Sequence, residues 1–111
     1  MVKSKLTTSY QDHLIDKLSD PELASEYLNS VLEDVKNDSP GDAQTLLLIA
    51  IKNVVQAQGG ITQLAESIGL SRQSIHHMLS EKGNPTLSSL ISILEASGIK
   101  ISFQPKKNKA V

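Results

Sequence analysis

The stretch that decides the fold is residues 61–80, which read ITQLAESIGLSRQSIHHMLS. Three of its apolar residues are spaced to share one face of a helix: Leu64, Ala65 and Ile68. We predict that this helix begins near Thr62, whose hydroxyl is suited to capping free backbone N–H groups, and ends at Gly69. Because glycine lacks a Cβ atom, it adopts the left-handed backbone conformation without a clash, and the chain then reverses direction within a few residues.

A second short helix follows this turn, with Ser71 placed to cap its first N–H groups. Its predicted buried face comprises Ile75, Met78 and Leu79. Leu70 is predicted to close the corner between the two helices. Ala65 is small at the point where the second helix must pass close to the first. This joint spacing is typical of a helix-turn-helix, in which the second helix enters the major groove of DNA.

The outward face of the second helix is polar and supplies most of the candidate DNA contacts. Gln73 is the candidate for reading a base, because its amide matches the N6/N7 edge of adenine, and Arg72 is suited to guanine or phosphate. Helix N-termini on either side of the second helix offer N–H groups to phosphate. The complete set of candidate DNA-binding residues is Thr62, Gln63, Ser71, Arg72, Gln73, Ser74, His76, His77, Ser80 and Thr86.

Two further elements are predicted after the motif. Thr86 is placed to cap a helix that ends at Gly98. Its apolar residues recur at steps of three and four: Leu87, Leu90, Ile91, Ile93 and Leu94. The spacing then changes to two, which predicts a short strand at 99–104 with Ile99, Ile101 and Phe103 on one face. No second strand is evident, so we expect this one to pair with its own copy across a two-fold axis or with a partner protein.

Three helices are predicted before the motif. The first spans Ser9 to Leu18, after polar residues 1–7 that we expect to be mobile. The second begins at Pro21, is capped by Asp20 and runs to about Lys36. Its expected buried residues are Leu23, Ala24, Tyr27, Leu28, Val31 and Val35.

The third helix starts at Ser39 or Asp42 and extends to about Gln58, where Gly59-Gly60 stops it. Its centre, residues 46–51, is apolar on every side, so we expect it to be covered both by the helix-turn-helix and by the N-terminal helices. A buried strand is the alternative interpretation of these six residues.

These elements predict an all-α fold, a repressor-like helical DNA-binding domain with an N-terminal helical extension and one short C-terminal β-strand. We interpret residues 1–111 as a single domain, long enough to bury a core without disulfides or metal. Its parts are the extension at 8–37, a core at 40–98 with the helix-turn-helix at 61–80, the strand at 99–104 and a flexible basic tail at 105–111.

Composition argues against several classes of function. The chain has no cysteine, and the adjacent His76 and His77 point about 100° apart on a helix, so we expect no metal and no cofactor. No phosphate-binding glycine loop, nucleophile motif or acid–base pair is evident, so we expect no enzyme. The N-terminus lacks the apolar run of a signal peptide, and no apolar run is long enough for a membrane span, which predicts a cytoplasmic protein.

Charge is distributed unevenly along the chain although its net value is −1. Residues 1–60 contain five lysines against nine Asp and Glu, whereas residues 61–111 contain six Lys and Arg against three Glu. The basic half is the half with the helix-turn-helix, as a DNA-binding domain requires, while ordinary surface charge is the alternative. The acidic helices from Asp12 to Asp34 offer a surface for a basic partner.

The loop and helix after residue 80 resemble those of the Cro and phage-repressor (XRE) class, through Asn84-Pro85-Thr86-Leu87. Over roughly residues 8 to 104 the chain is similar to a narrower group, the HigA-like addiction-module antidote proteins. The segments that carry this resemblance are Leu18-Ser19-Asp20-Pro21-Glu22-Leu23-Ala24, Glu26-Tyr27-Leu28, Gly69-Leu70-Ser71-Arg72 and Leu79-Ser80-Glu81-Lys82-Gly83-Asn84-Pro85.

The resemblance implies a transcriptional repressor that is the antitoxin of a type II toxin-antitoxin module and neutralises a RelE/HigB-like toxin. One position departs from the XRE pattern, because Ile61 stands where those proteins place a phosphate-binding glutamine and Gln63 comes two residues later. A single small module reads few base pairs, so we expect a homodimer on a palindromic operator of double-stranded DNA. The alternatives are a stand-alone XRE-type regulator and, from another class, a protein-interaction scaffold without DNA binding.

Overall fold

A computed structural model describes residues 2–106, and for residues 2–9 only the backbone. In this part of the chain it contains six helices: α1 (Val2–Leu18), α2 (Pro21–Asp34), α3 (Pro40–Ala57), α4 (Gly60–Ile68), α5 (Arg72–Met78) and α6 (Leu87–Ala96). The all-α prediction is confirmed for these residues. Of the tail predicted at 105–111, Pro105 and Lys106 are exposed and the rest lies outside the described residues.

The N-terminal helix is longer than predicted, since α1 begins at Val2 instead of Ser9. Residues 2–7, for which we expected a mobile segment, are helical, while their mobility stays a prediction and Met1 lies outside the described residues. Residues 2–7 read VKSKLT, in which polar residues stand beside Val2 and Leu6, and no glycine or proline interrupts them. A helix that is already nucleated extends through such a sequence at little cost, because each added residue gains one hydrogen bond.

Helix α2 begins as its capping sequence predicts. The Asp20 carboxylate accepts a hydrogen bond from the N–H of Glu22 at 2.9 Å, and Pro21 occupies the first helical position. Ala24, Leu28 and Val35 are buried, and Tyr27 and Val31 pack against the core, but Leu23 is 40% exposed, contrary to prediction. Leu23 precedes Ala24 by one position, which rotates its side chain by about 100° from the buried face.

Helix α3 lies at the centre of the fold and contacts α1, α2 and α4. Ser39 is its cap, since its hydroxyl accepts from the N–H of Asp42 at 3.3 Å, and residues 46–51 are helical, which excludes the strand alternative. The predicted cover is incomplete, because Leu46 and Ile49 are each 44% exposed. The neighbouring helices leave one face of α3 exposed. Leu46 and Ile49 are three residues apart, so both lie on this face. The buried residues of α3 are Leu48, Ala50, Ile51, Val54 and Val55.

Polar side chains of α3 attach the N-terminal helices to the rest of the protein. Gln58 Nε2 donates to the carbonyls of Leu18 at 3.0 Å and Ser19 at 3.1 Å, which satisfies acceptors that the end of α1 leaves free. Asn53 Nδ2 donates to the Tyr27 hydroxyl at 3.0 Å, and Gln11 Nε2 donates to Asn53 Oδ1 at 3.1 Å. These bonds join α1 and α2 to α3 in a defined register.

The strand predicted at 99–104 is absent from residues 2–106 of the single chain. The N–H of Ile99 donates to the carbonyl of Leu94 at 2.9 Å and its side chain is buried. Beyond it no backbone hydrogen bond joins residues 100–104 to any other described residue. A strand requires a neighbour for its N–H and C=O groups, and the described chain supplies none, so pairing with a second chain stays a prediction.

Gly83 connects the loop after α5 to α3 through its backbone hydrogen bonds. Whether this position requires a residue without a Cβ atom is tested by substitution. Its N–H donates to Ser80 and its carbonyl accepts from Gln44 Nε2, both at 2.9 Å, while a Cβ atom would collide with the carbonyl of Met78. We therefore expect Gly83→Ala to lower the free energy of unfolding by about 1–3 kcal/mol in chemical denaturation, because the backbone of α5 must shift.

The matched control is Gly41→Ala in the first turn of α3, where a Cβ atom meets nothing within 4 Å. This variant is expected to be unchanged or more stable by up to about 1 kcal/mol, because alanine favours helix. Equal stability of the two variants would contradict the role assigned to Gly83.

Candidate nucleic-acid interface

Helices α4 and α5 form the two-helix unit that the sequence predicts at residues 61–80. Ile61, Leu64 and Ala65 are buried on α4. The prediction that Thr62 caps α4 is wrong, because the cap is Gly59, with φ of 114° and no side-chain hydrogen bond, and the helix starts at Gly60. Two successive glycines let the chain leave α3 and enter α4 directly, so Thr62 lies inside the first turn with its side chain exposed.

The turn and the start of α5 agree with prediction. Gly69 ends α4 with φ of 74°, and its N–H donates to the carbonyl of Ala65 at 2.9 Å. The Ser71 hydroxyl accepts from the N–H of Ser74 at 3.0 Å and caps α5. Leu70 closes the corner only in part, since it is 36% exposed.

Helix α5 is attached to the core along one side. Ile75 and Leu79, four residues apart, are 0% and 1% exposed, and Met78 packs against the same core. This burial leaves the opposite side of α5 facing solvent. The helix is therefore held by its apolar stripe with its polar stripe free, as the sequence predicts.

The candidate DNA-binding residues are nearly all on the surface. Ser80 is partly buried. The exposed ones are Thr62, Gln63, Ser71, Arg72, Gln73, Ser74, His76, His77 and Thr86. The structure brings residues 71–80 together on one short helix with its flanks, while Thr62, Gln63 and Thr86 lie at the starts of α4 and α6.

Four of these side chains lie on α5 and are free for an external ligand. Arg72, Gln73, His76 and His77 form no hydrogen bond or ion pair with any side chain or backbone group in the described part of the chain. Arg72 and His76 are four residues apart, as are Gln73 and His77, so the four groups form two adjacent rows along α5. A surface of amide, guanidinium and imidazole groups matches the hydrogen-bonding edges of bases and phosphates.

Four predicted hydroxyls, those of Ser71, Ser74, Ser80 and Thr86, are instead engaged within the protein. Ser71 Oγ donates to Ser74 Oγ at 2.9 Å, Ser80 Oγ donates to the carbonyl of His77 at 2.7 Å, and Thr86 Oγ1 donates to Ser89 Oγ at 3.0 Å. Thr86 also accepts from the N–H of Ser89 at 3.1 Å and so caps α6 as predicted. These hydroxyls fix helix ends, so their first role is to position the free side chains.

The two-helix unit carries less net positive charge than the C-terminal half as a whole. Residues 61–80 carry only Arg72 and Glu66 as formal charges, and the other basic residues come later in the chain. Lys82, exposed in the loop after α5, is a cation beside the site that the sequence prediction overlooked. The only feature of the sequence that points to Lys82 is its position directly after the predicted second helix.

Exposed acids lie on the N-terminal helices and their flanks, as predicted for a surface that meets a basic partner. They are Asp12, Asp16, Glu22, Glu26, Glu33 and Asp34. Glu33 forms a hydrogen bond and an ion pair with Lys36, and these raise the pKa of the lysine above its usual value. The remaining acids carry no such partner among residues 10–106.

Between Tyr10 and Lys106, no three His, Cys, Asp or Glu side chains converge in a way that would hold a metal ion. None of the helices within residues 2–106 combines the length and hydropathy that crossing a bilayer requires.

Comparison with known proteins assigns this chain to a family. A family model described as "Probable addiction module antidote protein" matches residues 8–105. An uncharacterized protein of Haemophilus influenzae is 27% identical over 81 residues, which cover 73% of this chain and 75% of that protein. No solved structure matches the chain. Because the family match extends from within α1 to the segment after α6, the chain belongs to the family of probable addiction module antidote proteins.

Proposed function

We propose that this protein is the antitoxin of a type II toxin-antitoxin module and that it represses its own operon by binding DNA through α5. Membership of the antidote family supports the antitoxin role. The observation that carries the DNA-binding role is the orientation of α5, with Ile75 buried and the free side chains of Arg72 and Gln73 facing solvent. Such a HigA-like, XRE-type repressor acts on the chromosome in the cytoplasm.

In this proposal α5 lies in the major groove. Its seven residues span about 10 Å at the rise of an α-helix, so one copy reads only a few base pairs. Gln73 pairs with the N6/N7 edge of adenine, and Arg72 contacts guanine or a phosphate from the first turn. The exposed starts of α4 and α6, at Thr62 and Thr86, bind phosphate through backbone N–H groups.

A second copy is required for specificity, because one short helix discriminates too few base pairs. We therefore propose a homodimer on a palindromic operator, with half-sites about 34 Å apart. The backbone of residues 100–104, which has no hydrogen-bond partner among the described residues, supports a contact between copies in this region.

The toxin is proposed to bind the acidic N-terminal helices. Asp12 and Asp16 on α1 and Glu22 and Glu26 on α2 are exposed, and a RelE/HigB-like toxin that cleaves RNA carries a basic surface complementary to them. The antitoxin then acts by covering the toxin and has no catalytic role of its own.

One observation favours a second candidate function. The near-neutral charge of residues 61–80 is compatible with a helix-turn-helix that serves as a protein-interaction scaffold without DNA binding. A stand-alone regulator is the candidate if the protein binds its promoter but no toxin. The two experiments below separate these three functions.

The DNA-binding proposal is tested with single substitutions on α5. Gln73→Ala and Arg72→Ala are each expected to weaken binding to the protein's own promoter by about 1–3 kcal/mol, or roughly ten- to a hundredfold, because each removes a base or phosphate contact. Fluorescence anisotropy at several salt concentrations measures both affinity and its salt slope.

Lys17→Ala is the control, since it removes a charge from the last turn of α1, outside the two-helix unit. It should leave promoter affinity unchanged. Wild-type protein that binds its promoter no more tightly than unrelated DNA would reject the repressor and leave the scaffold function.

The antitoxin proposal is tested by co-expressing the chain with the product of the adjacent reading frame. A stable complex on size-exclusion chromatography is expected. Asp12→Lys combined with Asp16→Lys should weaken it by roughly tenfold at low salt, because opposite charges no longer face the basic toxin.

The double variant Glu66→Lys with Glu81→Lys makes the same change in charge on the other half of the chain and should leave the complex intact. Absence of any complex with the wild-type protein would reject the antitoxin role and leave a stand-alone regulator.

A further inference from the structure

An open apolar groove lies between α2, α3 and α6, and none of the residues that line it is assigned to DNA, although Leu87 directly follows the phosphate candidate Thr86. Its larger part has a cavity volume of about 750 Å³, and an adjoining part of about 270 Å³ shares Leu32, Leu47, Ile51 and Leu90 with it. Two side chains at its rim are conspicuously exposed for leucine, Leu32 at 49% and Leu87 at 71%. Exposed apolar surface of this kind marks a binding site.

The segment 99–104 forms one wall of this groove. Ile99 is buried and fixed through its N–H, but the chain beyond it extends along the groove without backbone partners among the described residues. Phe103 does not line the groove of its own chain and is 95% exposed. An apolar side chain therefore projects from the wall of an apolar groove and contacts neither the groove nor the core.

Charge adds only a weak attraction, because, of the acids on α2, only Glu33 lines the groove, and it is paired with Lys36. Helix α2, which forms another wall, carries four acids and no basic residue within Pro21–Asp34. Residues 99–106 carry Lys100 and Lys106 and no acid. A segment of this composition is attracted to a surface such as α2 when it approaches from another molecule.

We propose that the segment 99–104 of a second copy of this chain occupies the groove, with Phe103 as the side chain that fills it. The two segments run antiparallel, so each supplies the backbone partners that the other lacks, and each Phe103 reaches the partner copy's groove beside Leu87 and Leu90. The contact is reciprocal, as a two-fold dimer requires. This inference rests on the homodimer proposed above and assigns its interface.

The second copy fits the groove better than other occupants do. Residues 105–111 read PKKNKAV and contain no aromatic or large aliphatic residue, so this stretch is not suited to filling an apolar groove of this size. A toxin strand would pair with the backbone of 100–104 in one copy, whereas a second copy pairs the backbone of both segments and buries both Phe103 side chains at once.

The first test measures self-association of the full chain by analytical ultracentrifugation. Wild-type protein is expected to dimerise, and Phe103→Ala is expected to raise the dimer dissociation constant by tenfold or more. Tyr10→Ala is the control, since it removes an aromatic side chain that is 71% exposed on α1. It should leave the dissociation constant unchanged. Circular dichroism of all three proteins checks that each is folded.

The second test uses the absence of cysteine from the chain. The double variant Phe103→Cys with Leu87→Cys is expected to form covalent dimers on oxidation, visible on a non-reducing gel. Phe103→Cys alone and Phe103→Cys with Tyr10→Cys should not. If Phe103→Cys alone is cross-linked equally well, the two 103 side chains meet each other instead of the groove and the inference is overturned.

The remaining outcomes separate this inference from the proposals on which it rests. A monomeric wild-type protein overturns the dimer and the groove together. A dimer whose stability does not depend on Phe103 and that yields no cross-link between positions 103 and 87 overturns only the groove. If Phe103→Ala keeps the dimer but abolishes the toxin complex, the toxin occupies the groove and the inference is again overturned.

Discussion

The rest of the structure depends on the burial of Ile75 and Leu79. A helix of seven residues such as α5 is not stable in isolation, because the nucleation of a helix costs more than so few hydrogen bonds return. The cap from Ser71 contributes about 1 kcal/mol. Each buried aliphatic side chain contributes about 1.5–3 kcal/mol, so packing outweighs the cap and determines where α5 lies. The free polar side chains of Arg72 and Gln73 are displayed rigidly only because these two residues are buried.

Helix α3 connects this unit to the N-terminal extension. Its apolar residues form the middle of the core, and its polar residues Asn53 and Gln58 hold α1 and α2 through hydrogen bonds. Removing one partner of such a bond leaves a partly buried donor or acceptor unsatisfied, at a cost of about 1–3 kcal/mol. The acidic helices proposed for the toxin thus pack directly on α3, and the helix proposed for DNA is connected to α3 through α4.

The sequence predicts most helix ends because their signals are local. Asp20 before Pro21, Ser39, Ser71 and Thr86 all cap the helices expected of them, and Gly69 ends α4. Predictions fail where the cause is not local. The exposures of Leu23, Leu46 and Ile49 depend on which neighbours reach each helix face, and the strand at 99–104 depends on a partner. At the site, the free stripe of α5 follows from its apolar stripe, whereas the bond from Ser80 Oγ to the carbonyl of His77, although local, has no signal in the sequence pattern.

The modest charge of the two-helix unit determines how the proposed repressor must obtain its affinity. Counterion release grows with the number of phosphates neutralised, and residues 61–80 offer one cation against one acid. Lys82 adds a second cation at the edge of the site. Base contacts from Gln73 and Arg72 therefore carry a larger share of the binding than in a strongly basic domain, and each copy has few of them. Doubling these contacts requires two copies held in fixed register, so a groove that binds Phe103 of the second copy contributes to DNA affinity although none of the residues that line it is assigned to DNA.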